Sequence, residues 1–221
     1  MGAVAAHLNI EPSHTIVDLL RDIGRVDTVL AQKVLHRVGE NLHVLAGPHR
    51  FLTPTVVNID DLTHIIETLQ QIADIVVLDV PCTYDDVYFE VLTGASTAIL
   101  VGEQTLPSIR ALKMVREQIG RGSGTASELV VINKFDPKNR GFAVDRLLNP
   151  LGVTSVVTIS RDDTAMRSAI DSGCALRLAA PKSPALADIG ALTDALMIAP
   201  ASARAKPQGL FSRLGRAITN T

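Results

Sequence analysis

Five short runs of apolar, mostly β-branched residues recur along the chain, at residues 42–46, 75–80, 97–102, 128–133 and 154–159, with amphipathic stretches between them. No other feature constrains the fold as strongly. The runs are continuous rather than alternating: Ile75, Val76, Val77 and Leu78 follow one another, as do Leu129, Val130, Val131 and Ile132. An alternating run buries one face of a strand. A continuous run needs cover on both faces, as parallel strands have when their crossover helices lie above and below the sheet. Strand and helix in repetition predict an α/β fold with an open, mostly parallel sheet and helices on both faces. None of the runs reaches the roughly 18 residues that a membrane-spanning helix needs.

The intervening stretches carry helix signals. Asp27 is placed to cap a helix running to about Val38, and Asp60 or Asp61 one through Ile72, with Leu62, Ile65, Ile66, Leu69 and Ile72 on one face. Thr105 caps another, with Pro107 in its first turn and Ile109, Leu112, Val115 and Ile119 at helical spacing. Asp163 caps residues 164–171, which Gly173 ends, and Pro184 opens a last helix through Met197. From Ala199 the composition shifts to small residues and prolines, a linker. Beyond it Leu210, Phe211, Leu214 and Ile218 fall on one side of a short basic amphipathic helix. The expected organisation is one α/β domain over residues 1–198, then a linker and tail over 199–221.

Composition narrows the function classes. Aromatics make up 3 % of the chain and Trp is absent, so base stacking on aromatic platforms is disfavoured. Lys plus Arg is 21 against 23 for Asp plus Glu, a net charge of −2, which offers no general basic surface to nucleic acid. Cys82 and Cys174 lie far apart, which excludes a disulfide-dense scaffold and a Cys-x-x-Cys site and suits a reducing cytoplasm. The first residues lack the basic flank and apolar length of a secretory signal. The six histidines form no His-Glu-x-x-His or i, i+4 pair, so surface or hydrogen-bonded roles are expected of them rather than metal ligation.

In parallel α/β sheets ligands bind beyond the C-terminal strand ends, so the residues that end each run are the candidates for chemistry. The run at 75–80 contains Leu78-Asp79-Val80-Pro81, a hydrophobic strand closing on a carboxylate, the Walker B pattern that holds Mg²⁺ directly or through water. The run at 128–133 continues as Asn133-Lys134-Phe135-Asp136. An Asn amide presents a donor and an acceptor to a purine edge, and Asn-Lys-x-Asp is also the guanine-reading motif of GTPases. The alternative is an Asx turn leaving a strand, helped by Pro137. The glycines of residues 120–124 sit between a helix and a strand, at the wrong end for a phosphate loop, and lack Gly-Lys-Ser/Thr. Cys82 follows the Asp79 turn and reads as a small buried thiol. The pairs Asp85-Asp86 and Asp162-Asp163 read as charges at helix starts.

The order of these stretches resembles the ParA/MinD-type P-loop ATPases and, within them, the CpaE/TadZ group of pilus-assembly proteins. The resemblance rests on residues 2–12, 15–20 and 42–48, on Val76-Val-Leu-Asp-Val-Pro81, on residues 103–110, on Val130-Val-Ile-Asn-Lys134, on Ile159-Ser-Arg-Asp-Asp163 and on residues 169–173. It implies a P-loop NTPase-like fold, incomplete at the N-terminus, that binds ATP and Mg²⁺. It further implies that Asp79 is the metal-side carboxylate. Asn133, with Lys134, lies at the adenine, and the loop of Ser160, Arg161 and Asp162 closes over the base. Ser160 departs from the Pro common in the family.

The family's Gly-Lys-Thr loop and the strand after it, together roughly thirty residues or one βαβ unit, do not occur in this sequence. Without that loop there is neither a backbone cradle nor a Lys for the β/γ-phosphates, so no catalytic residue and no hydrolysis is expected of this chain alone. The chain therefore reads either as part of a longer ATPase or as a scaffold without a P-loop. The resemblance also implies a homodimer, pilus-assembly or secretion proteins as partners, and a cytoplasmic location, with the basic tail as a weak contact to the inner face of the membrane. A GTPase and a partition or positioning ATPase are the alternative activities. Against the first, the Asp79 turn reads Asp-Val-Pro-Cys, without the Gly of the GTPase switch.

Overall fold

The computed structural model describes residues 4–48, 57–121 and 127–198. Along the chain run α1 (Val4–His7), α2 (Ile16–Arg21), α3 (Thr28–Val34), β1 (His36–Val38), β2 (Leu42–Val44), α4 (Ile59–Leu69), α5 (Asp86–Gly94), β3 (Thr97–Glu103), α6 (Leu106–Arg121), β4 (Ser127–Phe135), α7 (Val144–Leu151), β5 (Val157–Ser160), α8 (Asp163–Asp171), α9 (Leu176–Ala179) and α10 (Pro184–Ile198). They fall into two compact units. The first comprises Met1–Tyr88 and Arg167–Ala179, and the second Phe89–Met166 and Ala180–Thr221. Residues 199–221, expected as linker and tail, and residues 122–126, which hold part of the glycine-rich stretch at 120–124, lie outside the described residues.

The first unit is built on α2, α3 and α4. Leu19, Val26, Val34 and Ile65 form its buried centre, with Ile16, Leu20, Leu30 and Leu69 packed against them. Asp27 caps α3, its carboxylate accepting from the N–H of Leu30 at 2.7 Å. The helix stops at Val34, short of the expected end, because residues 36–38 enter a strand. The cap of α4 is Asn58, whose side chain accepts from the N–H of Asp60 at 3.0 Å. Asp60 and Asp61 occupy the first turn instead, where the helix dipole favours negative charge. Gly173 ends α8 with φ +57°, a left-handed turn that places it against Asn9.

Two of the five expected strands differ from expectation in this unit. Residues 42–44 form a local antiparallel hairpin with β1, His36 opposite Val44, rather than joining a parallel sheet. Residues 75–80 are not a strand, and Val77 is 82 % exposed. A strand exists only through its ladder, and no neighbouring strand pairs with this run among the described residues.

The second unit holds a parallel three-stranded sheet, ordered β3-β4-β5 and flanked by helices. Central β4 carries Val130, Val131 and Ile132, all nearly inaccessible, as its unbroken apolar run requires. Ile109, Leu112, Val115 and Ile119 form the buried stripe of α6. That helix lies so close to β3 that a Cβ at residue 102 would stand 2.5 Å from Leu112 Cδ1, and the leucine would have to shift. α7 contributes Leu147 and Leu151 to the same core, and α10 packs on β5.

Candidate functional site at the carboxyl ends of the strands

Parallel strands end on one edge, so β3, β4 and β5 bring their last residues together by topology alone. Glu103 of β3 pairs in register with Asn133 of β4, and Phe135 of β4 with Ser160 of β5. The register slips between Ile132 and Phe135, giving β4 one more residue than β5 over this span. The slip coincides with Lys134, a non-glycine residue at φ +51°. Asn133 stabilises that conformation by accepting the N–H of Lys134 on its own Oδ1 at 2.9 Å. Such a bulge re-aims side chains at a sheet end. Here it presents the Asn133 amide at the edge, with one Oδ1 bond made locally.

The charges at this edge are paired internally. Lys134 Nζ meets Glu103 Oε1 at 2.7 Å across the β3–β4 boundary. Arg161 forks onto Asp163 through Nε and Nη2, both at 2.7 Å. The Asp163 carboxylate therefore holds the Arg161 pKa above its ordinary value, first by hydrogen bonding and then by charge. The N–H of Arg161 donates to Phe135 O at 3.0 Å, which ties the β5 exit to β4.

Asp162 caps α8 by accepting from the N–H of Ala165 at 3.0 Å and also accepts from the Ser183 hydroxyl at 2.7 Å. The Ser183 bond and then the Ala165 bond hold its carboxyl below the usual carboxylate range. Ser160 donates its N–H to Asp188 at 2.8 Å. The end of β5 and the loop after it are thus fastened to Asp188 of α10 and to Ser183, the residue before that helix.

Of the six residues that the sequence pointed to, Asn133, Lys134, Ser160, Arg161 and Asp162 stand together at this edge of the second unit. Asp79 belongs to the first unit and lies in the exposed run that forms no strand, so it does not end a strand as expected. Cys82 is exposed rather than buried. Asp85 accepts from the N–H of Tyr88 at 2.8 Å, the helix-start role expected of it. Asp136 forms the Asx turn that was the alternative to base reading, accepting from the N–H of Lys138 at 2.9 Å.

Sequence reasoning missed Gln104, Ser183 and Asp188. Reading one residue past the end of β3 would have found Gln104, whereas Asp188 of α10 and Ser183, just before that helix, belong to no motif. A shallow depression lined by Lys113, Arg116, Asn149 and Leu151 lies towards the opposite strand ends. Its Arg116 is committed to Glu128 and to the carbonyl of Leu151. No three metal-ligating side chains gather among the described residues, and none of their helices is long and apolar enough to cross a membrane.

The fold is that of the ParA/MinD ATPases. A ParA family ATPase from Chlorobium tepidum superposes with a TM-score of 0.75 at 18 % identity, over 85 % of this chain and 78 % of that one. MinD in the MinC:MinD cell division complex of Aquifex aeolicus gives 0.73 at 19 % identity, over 87 % and 77 %. The septum site-determining protein MinD of Pyrococcus horikoshii, complexed with Mg-ADP, gives 0.72 at 18 % identity, over 89 % and 80 %. No family model and no curated protein matches the sequence.

Proposed function

We propose that this chain supplies the base-recognising side of an ATP-dependent switch of the ParA/MinD kind, in the CpaE/TadZ branch that serves Flp/Tad-type pilus assembly or secretion. The observation that carries the reading is the bulge at Asn133 and Lys134, which sets a purine-edge amide between the ends of β3 and β5 on a sheet with the ParA/MinD fold. The Asn133 NH₂ group makes no hydrogen bond among the described residues, and the second lone pair of Oδ1 remains for a donor. That pair of functions fits adenine, which offers N7 as an acceptor and the N6 amino group as a donor on one edge. The loop of Ser160, Arg161 and Asp162 is pre-ordered beside it by α8 and α10.

Asp79, a single exposed carboxylate of the first unit, is the residue proposed for Mg²⁺, a cation that keeps several waters and takes one or two carboxylates from a protein. Lys134 is engaged with Glu103, so no lysine at this edge is committed to phosphate. The reading therefore assigns base recognition, and not hydrolysis, to these residues. Dimerisation, pilus or secretion proteins as partners, and a weak membrane contact through residues 199–221 complete the proposal.

A scaffold role in pilus assembly is the second reading, favoured by the internal pairing of Lys134 with Glu103 and of Arg161 with Asp163. Titration of the ¹⁵N-labelled chain with AMP separates the two. The switch reading expects the Asn133 side-chain NH₂ and the Lys134 and Arg161 amide signals to shift saturably, and Asn133→Ala to abolish the response. Absence of any shift at millimolar AMP would leave the scaffold.

A further inference from the structure

We propose that the free edge of β3 is a docking surface for a second copy of this chain, the two strands pairing antiparallel about a twofold axis at Leu100. The inference gives a surface to the dimer named above and stands apart from the adenine reading, since it needs no nucleotide.

β3 pairs with β4 along one side over all of its seven residues, Thr97 to Glu103, without a bulge. No strand lies along its other side among the described residues, and residues 98–102 make no hydrogen bond outside the β4 ladder. Alternate residues of a strand turn their N–H and C=O to opposite sides, so a row of these groups points outwards here. Ala98, Leu100 and Gly102 are buried on the face that Leu112 of α6 covers. Ile99 and Val101 lie on the other face, 37 % and 59 % exposed. Edge strands that stay single are blunted by Lys, Pro, a bulge or an inward charge. Residues 97–102 carry no Lys, Pro or charge. Glu103, the strand's one charge, stands at its end and is paired with Lys134.

Symmetry favours a second copy as the occupant. Two identical edges meet isologously only when they run antiparallel. Hydrogen-bonded mates must both turn their main-chain groups outwards, and such residues alternate, so mates differ by an even number of positions. Centring the pair on Leu100 meets this condition and engages the whole strand. Ile99 then lies opposite the partner's Val101, and Thr97 opposite the partner's Glu103. Like charges do not meet, and the exposed Ile99 and Val101 of both copies close into one apolar patch. A foreign strand would have to bring a matching apolar row, which the second copy already has. One strand pair buries less than a standard interface, so the dimer is weak and forms with rising concentration.

The test is sedimentation velocity of the full chain without nucleotide, from low to high micromolar concentration. The wild type is expected to shift towards dimer as concentration rises. Val101→Lys charges an exposed position of the strand and should weaken the association about tenfold, through the two Ile99–Val101 pairs that it spoils. Met114→Lys, at an exposed position of α6, should leave it unchanged. Register is read by oxidising a mixture of Ile99→Cys and Val101→Cys proteins, both also carrying Cys82→Ser and Cys174→Ser. Directly opposed residues are within disulfide reach, so the mixture should give a mixed disulfide. Ile99→Cys alone should not, because diagonal neighbours stand about 7–8 Å apart, beyond that reach. Wild type that stays monomeric overturns the proposal and leaves the edge to a strand of another chain. A dimer indifferent to Val101→Lys overturns it too, as does Ile99→Cys that crosslinks as well alone as in the mixture. Should Val101→Lys not fold, the cysteine pair decides. The AMP response of Asn133 is measured separately, so either reading can fail without the other.

Discussion

Replacing Gly102 by alanine tests the contact that sets α6 against β3 and, through it, the end of the sheet that carries the site. The added Cβ would stand 2.5 Å from Leu112 Cδ1 and 2.7 Å from Ser108 Oγ. Carbon atoms in contact sit at about 3.5 Å or more, so the overlap is about 1 Å. Leu112 is buried and has no solvent to swing into. Forcing such a contact into a packed core costs roughly 1–3 kcal/mol.

Ser108 cannot yield freely either, because its Oγ accepts the N–H of Glu103 at 2.8 Å. Losing that bond adds about 1 kcal/mol. Alanine recovers about 0.4–1 kcal/mol by restricting the unfolded chain. The net loss is about 1–3 kcal/mol, or a fall in Tm of roughly 3–10 °C for a chain of this length. Far-UV circular dichroism melts measure it directly, since the chain has no Trp to report by fluorescence. A cycle with Leu112→Ala locates the cause. The space vacated by Leu112 admits the new methyl, so the double variant should lose at least about 1 kcal/mol less than the sum of the two singles. A Gly102→Ala protein that melts with the wild type, or a cycle that is additive, would refute the steric argument.

Further outcomes follow from the cap, the carboxylate and the buried phenol. Asp27→Ala removes the acceptor for the Leu30 N–H and should cost the first unit about 1 kcal/mol, read as a lower urea midpoint, with Asp27→Ser recovering most of it. The depressed pKa of Asp162 contributes stability that is present above the unfolded value of about 3.9 and is lost as the pH falls through the lower folded value. Melts of Asp162→Asn and wild type should therefore converge in strong acid and diverge above it. Tyr88 has its pKa pushed up to about 12, chiefly by burial and then by Cys82 and Tyr84. Its neutral form stabilises the fold fully below about pH 10, and that contribution fades as the pH rises towards 12. Tyr88→Phe should delete the late step of the tyrosinate absorbance titration and flatten stability over the same window.

What could be read in the sequence was local. The runs at 97–102 and 128–133 formed parallel strands because each carries its own apolar cover requirement. The stripe of Ile109, Leu112, Val115 and Ile119, the cap at Asp27, the stop at Gly173 and the start at Pro184 each depend on residues a few positions apart. The cluster of Asn133, Lys134, Ser160, Arg161 and Asp162 was legible for a related reason. Asn133 and Lys134 were read as a strand end, Ser160, Arg161 and Asp162 from the family resemblance, and parallel strands end on one edge whatever their order.

Tertiary structure decided the rest, because hydrogen-bonding groups are satisfied by partners that sequence distance does not reveal. Residues 75–80 have the composition of a strand, yet no ladder forms among the described residues, and Asp79 is left in an exposed run. Residues 42–44 found a nearer antiparallel partner in 36–38 than any parallel sheet offered. Asp136 belongs by sequence to a base-reading motif, but its main chain is held by Gln104, 32 positions earlier in the chain, and its carboxylate by the N–H of Lys138. The motif supplied the residue types, and a buried amide at the end of the neighbouring strand β3 anchored the main chain that follows them.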